Sequence, residues 1–252
     1  MKAVDDLLER LTRAAQDRWG SRARGGPLRR FLGGVLWLLR TGAPWRDLPR
    51  RFGSWNTVFR RFRRWVLAGW WVELGERVRR PAHEGESLLL DSTIIKANPD
   101  AAGARGSCAE QEALGRSRGG LTTKVHAVVS SMGRWVTCCL TPGQRADVTQ
   151  AIALLELVPA ARQVIADRAY DSDAFVGWLA ERSVEAVVPC RRGRRHPRPH
   201  DAEAYRSRNV IERFFGRLAR LRRVGLRTDK TAGSFAAFVG LGALAVERTA
   251  WT

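Results

Sequence analysis

Ser87-Leu88-Leu89-Leu90-Asp91-Ser92-Thr93 is a short apolar run that delivers a carboxylate at its exit. Three consecutive leucines at strand length suit the centre of a sheet covered on both faces. An aspartate there is costly to bury unless a cation neutralises it. The arrangement occurs twice, because Gln163-Val164-Ile165-Ala166 is a second apolar run and Asp167 follows it. Glu212 comes later, in a helical pattern where Tyr205, Arg208 and Glu212 fall at i, i+3 and i+7 on one stripe. If the two strands are neighbours, Asp91 and Asp167 converge and Glu212 reaches in from a packed helix. Several carboxylates around ions about 4 Å apart are what two-metal phosphoryl transfer requires. Each acid alone is a weak signal, since a lone Asp at a strand end is usually a turn or cap residue, and Asp147 and Asp171 read that way.

Outward from this run the strand pattern continues. Residues 122–130 and 134–141 flank Met132-Gly133 and read as a β-hairpin. The Gly/Ala-rich polar segment 98–118 reads as a loop. Asp147 has the place of an N-cap for a helix over 148–157, before Pro159. A strand over 162–166, a helix over 172–182 and a strand over 184–189 follow. A basic loop (191–200), one long helix over 201–224 and a mostly apolar helix over 234–249 complete the chain. The order β-β-β-α-β-α-β-α-α predicts an α/β fold with a mixed sheet flanked by helices.

The N-terminal part is different. Val4, Leu7, Leu8 and Leu11 give residues 1–20 an amphipathic helix, and 21–27 is a Gly/Arg linker. Leu28, Phe31, Leu32, Val35, Leu36 and Leu39 recur with core-facing helical spacing, stopped by Thr41-Gly42-Ala43-Pro44. In the next helix Trp55, Val58, Phe59, Phe62, Trp65 and Val66 form an apolar stripe, and Thr57, Arg60, Arg61 and Arg64 a basic one. Helix, turn and helix with a basic outer face describes a helix-turn-helix-like module. A helical bundle with a solvated basic face is the plain alternative. The expected division is a small all-α domain over 1–80 and an α/β domain over 81–252.

Composition points the same way. The chain has 252 residues, 44% of them hydrophobic, a formal net charge of +19 and a sequence pI of about 11.4. Such a surplus implies a polyanionic partner, most often nucleic acid. Lys2, Lys96, Lys124 and Lys230 are the only lysines; a GC-rich genome explains arginine over lysine but not cation over acid. Cys108, Cys138, Cys139 and Cys190 form no CxxC pair and read as reduced, buried thiols. Cys190 with His196 and His200 is only a faint zinc half-site in an Arg/Pro loop. No signal peptide is read at the N-terminus. The most apolar helix (31–39) is too short to span a bilayer, so a cytoplasmic, nucleoid-associated protein is expected.

Eight strings carry a family resemblance: RTGAPWRDLP (40–49), WNTVFRRFRRW (55–65), LLLDST (88–93), GRSRGGLTTKVHAVV (115–129), PGQRAD (142–147), VIADRAYDSD (164–173), YRSRNVIERFFGRLARLRR (205–223) and TDK (228–230). Jointly the chain resembles bacterial transposases of the insertion sequence 5 family, within the DDE superfamily. The resemblance implies an RNase H-like catalytic core with Asp91, Asp167 and Glu212 as catalytic and metal-binding triad, holding two Mg2+ or Mn2+ ions. It implies metal-dependent DNA strand cleavage and strand transfer. The partners would be double-stranded DNA (the element's terminal inverted repeats and its target) and further copies of the chain, in a homodimer or higher oligomer. GRSRGG is not a P-loop, lacking the Gly-Lys-Ser/Thr ending, but its Arg116 and Arg118 suit phosphate contact, as do Lys124 and His126 on the following strand. With Arg60, Arg61 and Arg64, and with Arg168, Tyr205, Arg208 and Lys230 from the matching strings, they form the expected DNA-contacting set.

The chain departs from the family pattern before Pro27 and at Asn98, where relatives often carry His. It departs again where Tyr-x2-Arg-x3-Glu-x6-Lys runs as Tyr205, Arg208, Glu212 and Ala219, without the lysine. Arg220 is rotated by about 100° from that position around a regular helix. Two rivals therefore stay open: a decayed copy that only binds DNA, and a nuclease of the same fold without strand transfer.

Overall fold

The structure, a computed structural model, describes residues 2–20, 26–117 and 119–247. In chain order its helices and strands are α1 (Lys2–Trp19), α2 (Gly26–Thr41), α3 (Trp55–Leu67), α4 (Trp70–Val78), β1 (Ser87–Lys96), β2 (Gly115–Ser117), β3 (Gly120–Ser130) and β4 (Trp135–Pro142). They continue with α5 (Ala151–Leu155), β5 (Gln163–Ala166), α6 (Asp173–Ala180), β6 (Glu185–Val187), α7 (Ala202–Arg206), α8 (Asn209–Ala219), α9 (Arg222–Gly225) and α10 (Ala232–Val246). Two compact units emerge: the described residues of 1–79, 96–112 and 217–246, and those of 80–95 and 113–216 with Glu247.

The first unit is helical. The i, i+3, i+4 spacing of α2 buries Leu28, Phe31, Leu32, Val35, Leu36 and Leu39. Gly42 ends that helix in the left-handed region (φ +66), its N–H on the Leu38 carbonyl at 2.9 Å, and a Cβ there would stand 2.9 Å from Arg222 Cβ. Two short 3₁₀ turns, Trp45–Asp47 and Arg50–Phe52, occupy the connection to α3. That link is longer than the three- or four-residue turn of a helix-turn-helix. Helix α4 then follows α3 across Gly69 (φ +70). Helix α10 is apolar on all sides and packs against α1, α2, α3 and α4, with Phe238 stacked on Phe62 at 4.8 Å between ring centroids.

The second unit is an open mixed sheet of RNase H-like form flanked by helices. Among the described residues six strands form it, in the order β2-β3-β1-β5-β6, with β4 also on β3. Strands β1, β5 and β6 run parallel, while β2 and β4 are antiparallel to β3. Leu88, Leu90, Val164 and Ala166 pack with Leu154, Leu155, Phe175 and Leu179 in one core, and Leu89 and Ile165 are fully buried as well. Covering both faces explains the unbroken apolar runs. Strand β2 pairs with the start of β3, Gly115 opposite Thr122 and Ser117 opposite Gly120.

The long helix expected over 201–224 is three helices. Arg208 N–H reaches the Tyr205 carbonyl (3.0 Å), and Arg220 N–H the Arg217 carbonyl (3.2 Å). These i→i+3 bonds tighten and break the helix, with no Gly or Pro at 207–208 or 220–221 to announce the breaks. The helix expected to start at Asp147 begins as a 3₁₀ turn, Asp147–Gln150, with Ala146 at the cap position and no side-chain cap. Ser172 does cap α6, accepting the Phe175 N–H at 3.2 Å. Among the described residues no helix is long and apolar enough to cross a membrane.

Candidate active site

The β1/β5 register decides where the two aspartates go. Leu88, Leu89 and Leu90 pair with Val164, Ile165 and Ala166, and the next residue on each parallel strand is an acid. Asp91, midway along β1, and Asp167, just past the end of β5, therefore stand side by side where the pairing of the two strands stops. Asp91 is buried, with Oδ1 accepting from the Ser92 N–H at 2.8 Å and Oδ2 from Arg208 Nη2 at 2.7 Å. Asp167 is half-buried and caps the turn Arg168–Tyr170, accepting from the Ala169 N–H at 2.8 Å. Glu212, exposed on the first turn of α8, is ion-paired with Arg208 Nη1. Arg208 sits at the break between α7 and α8, so the broken helix aims one guanidinium at two of the three acids.

The charges are under tension. Burial pushes the Asp91 carboxyl up to about 6, against the pull of Arg208 and the Ser92 N–H and with the push of Asp167 and Asp147. Burial also works against the Arg208 cation, but Asp91, Tyr205, Glu212 and Asp167 outweigh it and raise its pKa. Arg208 Nε is buried without a hydrogen-bond partner.

A supporting layer lies beneath. Asp147 Oδ1 accepts from Ser92 Oγ (2.6 Å) and Lys124 Nζ (2.8 Å), and Lys124 Nζ also reaches the Arg145 carbonyl (2.7 Å). Tyr170, 1% exposed, carries a buried hydroxyl without a well-formed hydrogen bond. Burial raises the pKa of its phenol, and Asp147, Asp91 and Asp167 raise it further. His126 is fully buried, its Nε2 2.8 Å from Thr141 Oγ1; burial lowers its pKa to about 4, Asp147 opposing and Lys124 adding. Lys124 and His126, expected at the DNA surface, are thus placed inside, because every residue of β3 from Thr122 to Ser130 is buried.

As metal ligands the acids match in kind: carboxylate oxygens are what a hard divalent ion takes. Their grouping does not match in this conformation. Among the described residues no three His, Cys, Asp or Glu side chains are clustered closely enough to hold an ion. The cation shared by Asp91 and Glu212 is instead the Arg208 guanidinium.

Residues 83–246 match the family model described as "Transposase DDE domain". The chain belongs to this DDE transposase family. Residues 3–74 match a second model, "Putative transposase of IS4/5 family". Two relatives carry the printed name "Putative transposase for insertion sequence element", IS6501 in Brucella ovis and IS402 in Burkholderia cepacia. The first is 38% identical over 48% of this chain and 94% of its own length, the second 30% identical over 48% and 60%. The piggyBac transposase, in a synaptic complex with hairpin DNA, superposes with a TM-score of 0.54 at 10% identity over 98% of this chain and 71% of its own. At that identity the likeness is one of fold.

For this DDE transposase the remaining expected DNA contacts divide by exposure. Arg60, Arg64, Arg116, Arg168 and Lys230 are exposed. Arg61 is half-buried over the rings of Phe31 (4.4 Å to the centroid) and Trp65 (5.2 Å), and Tyr205 is half-buried with its ring 5.7 Å from His200. Arg118 lies outside the described residues. Cys190 takes the Arg198 N–H on its sulfur at 3.1 Å. Sequence reasoning passed over Ser92, Asp147, Tyr170 and Asp171. All four lie in the matching strings, but only the fold shows which of them face Asp91.

Proposed function

We propose that this DDE transposase binds the ends of an insertion sequence and cuts and joins DNA strands at Asp91, Asp167 and Glu212. The observation that carries the reading is the placement of Asp91 and Asp167 directly after the last paired residues of the adjacent parallel strands β1 and β5, with Arg208 tying Asp91 to Glu212. Two Mg2+ or Mn2+ ions held by these acids would make a water or 3′-hydroxyl nucleophilic and stabilise the leaving oxygen. The chain's own residues do the rest. The Ser92 N–H holds the Asp91 carboxylate, and Asp147 holds the Ser92 hydroxyl. The Ala169 N–H orients Asp167. Arg208 supplies positive charge where phosphate oxygens would come to lie, and must leave one acid to do so.

The domain assignment follows the exposed cations. Residues 1–80, with Arg60 and Arg64 on α3, would contact the element's terminal inverted repeats, and 81–252 would hold the chemistry. Arg116, Arg168 and Lys230 would take phosphates. Acting on two ends at once requires at least a homodimer on DNA, and the substrate places the protein at the nucleoid. A copy that binds without cutting is favoured by one residue, Ala219 in the place of the family lysine.

The test uses labelled duplex carrying the inverted repeats that flank the coding region. Asp167→Asn should abolish its cleavage and leave binding nearly intact. Normal cutting by Asp167→Asn would remove the site assignment; no cutting by the unaltered protein at any divalent ion concentration would favour the decayed copy.

A further inference from the structure

The turn that follows Asp167 is stitched to the basic loop beyond β6. Asp171, 3% exposed, closes that turn and collects three donors from the loop. They are the Arg191 N–H on Oδ2 at 2.8 Å, Arg194 Nη1 on Oδ1 at 3.0 Å, and Arg198 Nη2 on the same Oδ1. Arg191 adds two bonds to turn carbonyls, Nε to Arg168 at 3.2 Å and Nη2 to Ala169 at 2.7 Å. Asp173 holds Arg194 and Arg198 from the outside. The Cys190 sulfur, on the Arg198 N–H, closes the loop at its base. Burial works against the Asp171 carboxylate, but the Arg191 N–H, Arg198 and Arg194 together hold its pKa below the usual value.

An aspartate so fully engaged with three arginines is more than a turn residue. It consumes cations from a loop whose remaining arginines, Arg192 and Arg195, are exposed and form no ion pair among the described residues. A loop built only for solubility would not need its neighbouring arginines fixed from within. A loop that must hold two guanidinium groups still against a polyanion does, because ordering them beforehand removes entropy that binding would otherwise cost.

We propose that Asp171 is a positioning residue that makes residues 190–200 a fixed phosphate-contacting arm, with Arg192 and Arg195 on the DNA backbone and its base on the turn that carries Asp167. The inference rests on the reading that this unit acts on DNA. It adds that backbone contact and the placement of Asp167 are mechanically one piece.

General electrostatics predicts the opposite sign for the key variant. Removing an acid from a chain of net charge +19 should tighten binding to any duplex. If Asp171 positions the arm, Asp171→Asn loosens it. The experiment measures the affinity of the full chain for a non-specific duplex across a range of salt concentrations. It compares the unaltered protein, Asp171→Asn, and the surface variant Arg192→Ala with Arg195→Ala. Each lost phosphate contact reduces the slope of log K against log salt by about 0.9. The double surface variant should therefore flatten it by about 2. Asp171→Asn should flatten it in the same direction, weaken binding several-fold at low salt, and speed hydrogen exchange in 190–200. An unchanged slope in the double variant, or tighter binding by a folded Asp171→Asn, overturns the proposal while leaving the reading of the acids intact. An unaltered protein that binds no duplex at all overturns both. The double variant touches only exposed side chains, so the outcome does not depend on Asp171→Asn folding.

Discussion

Two buried arginine–aspartate pairs, one in each unit, use the same chemistry to different ends. In the helical unit Arg223 grips Asp229 with two parallel bonds, Nε to Oδ2 at 3.0 Å and Nη2 to Oδ1 at 2.7 Å, and gives Nη1 to the Ala43 carbonyl at 3.2 Å. Both side chains are about 5% exposed, and the Phe238 ring lies 5.0 Å from the guanidinium carbon. Donors and acceptors match there, and the pair is saturated. In the sheet unit Asp91 gets one contact from Arg208, which divides itself between Asp91 and Glu212 and leaves Nε without a partner. Three acids compete for one cation, and burial still raises Asp91 to about 6. A saturated pair fastens structure; an unsaturated one marks where a further positive charge is wanted.

The comparison breaks most visibly through activity. Glu212→Gln should reduce end cleavage below detection while leaving the denaturation midpoint nearly unchanged, because its carboxylate is exposed. Substantial cutting by that variant would mean that Glu212 is only Arg208's partner.

The saturated pair should show the reverse. Asp229→Ala leaves Arg223 buried and uncompensated, which costs about 3–5 kcal/mol of stability in denaturant titrations. Replacing both partners, Arg223→Met with Asp229→Leu, should recover most of that loss. Equal destabilisation by the double and single variants would contradict the saturated-pair reading.

His126 supplies an intermediate effect with a defined sign. Its folded pKa of about 4 lies below the ordinary 6.5, so between those values the unfolded chain binds the extra proton. Stability is then fully present above pH 6.5 and falls as pH drops through that window, by about 3 kcal/mol in total. His126→Gln should flatten the dependence of the urea midpoint on pH between 7 and 4.5. An unchanged dependence would assign the acid sensitivity elsewhere.

The smallest change belongs to the unsaturated pair. Arg208→Gln should cost only about 1–3 kcal/mol, since Asp91 keeps the Ser92 N–H and can take a proton. Divalent ions should restore more stability to that variant than they add to the unaltered protein. No difference between the two would mean that Arg208 and the ion do not share the acids.

Much of this is legible in the sequence itself. The apolar runs before Asp91 and Asp167 are plain in the sequence because a sheet buried on both faces demands them unbroken. Their adjacency was an inference from pattern that needed the register of β1 on β5. Other features were hidden for physical reasons. Helix period cannot reveal a break made by i→i+3 bonds, so Arg208 looked like one residue on a stripe instead of the hinge between two helices. Polar residues in a strand look exposed until the neighbouring strand is known, and so Lys124 and His126 read as surface cations although β3 buries them. Asp171 and Asp147 looked like turn residues because their partners lie 20 or more positions away in sequence.

If the three acids share a metal ion, the full chain binds Mn2+ directly, without any DNA. Calorimetric titration at pH 7.5 should show saturable binding that is lost in Asp91→Asn and in Asp167→Asn and kept in the surface variant Arg192→Ala with Arg195→Ala. Binding of equal strength by Asp91→Asn and the unaltered protein would contradict it.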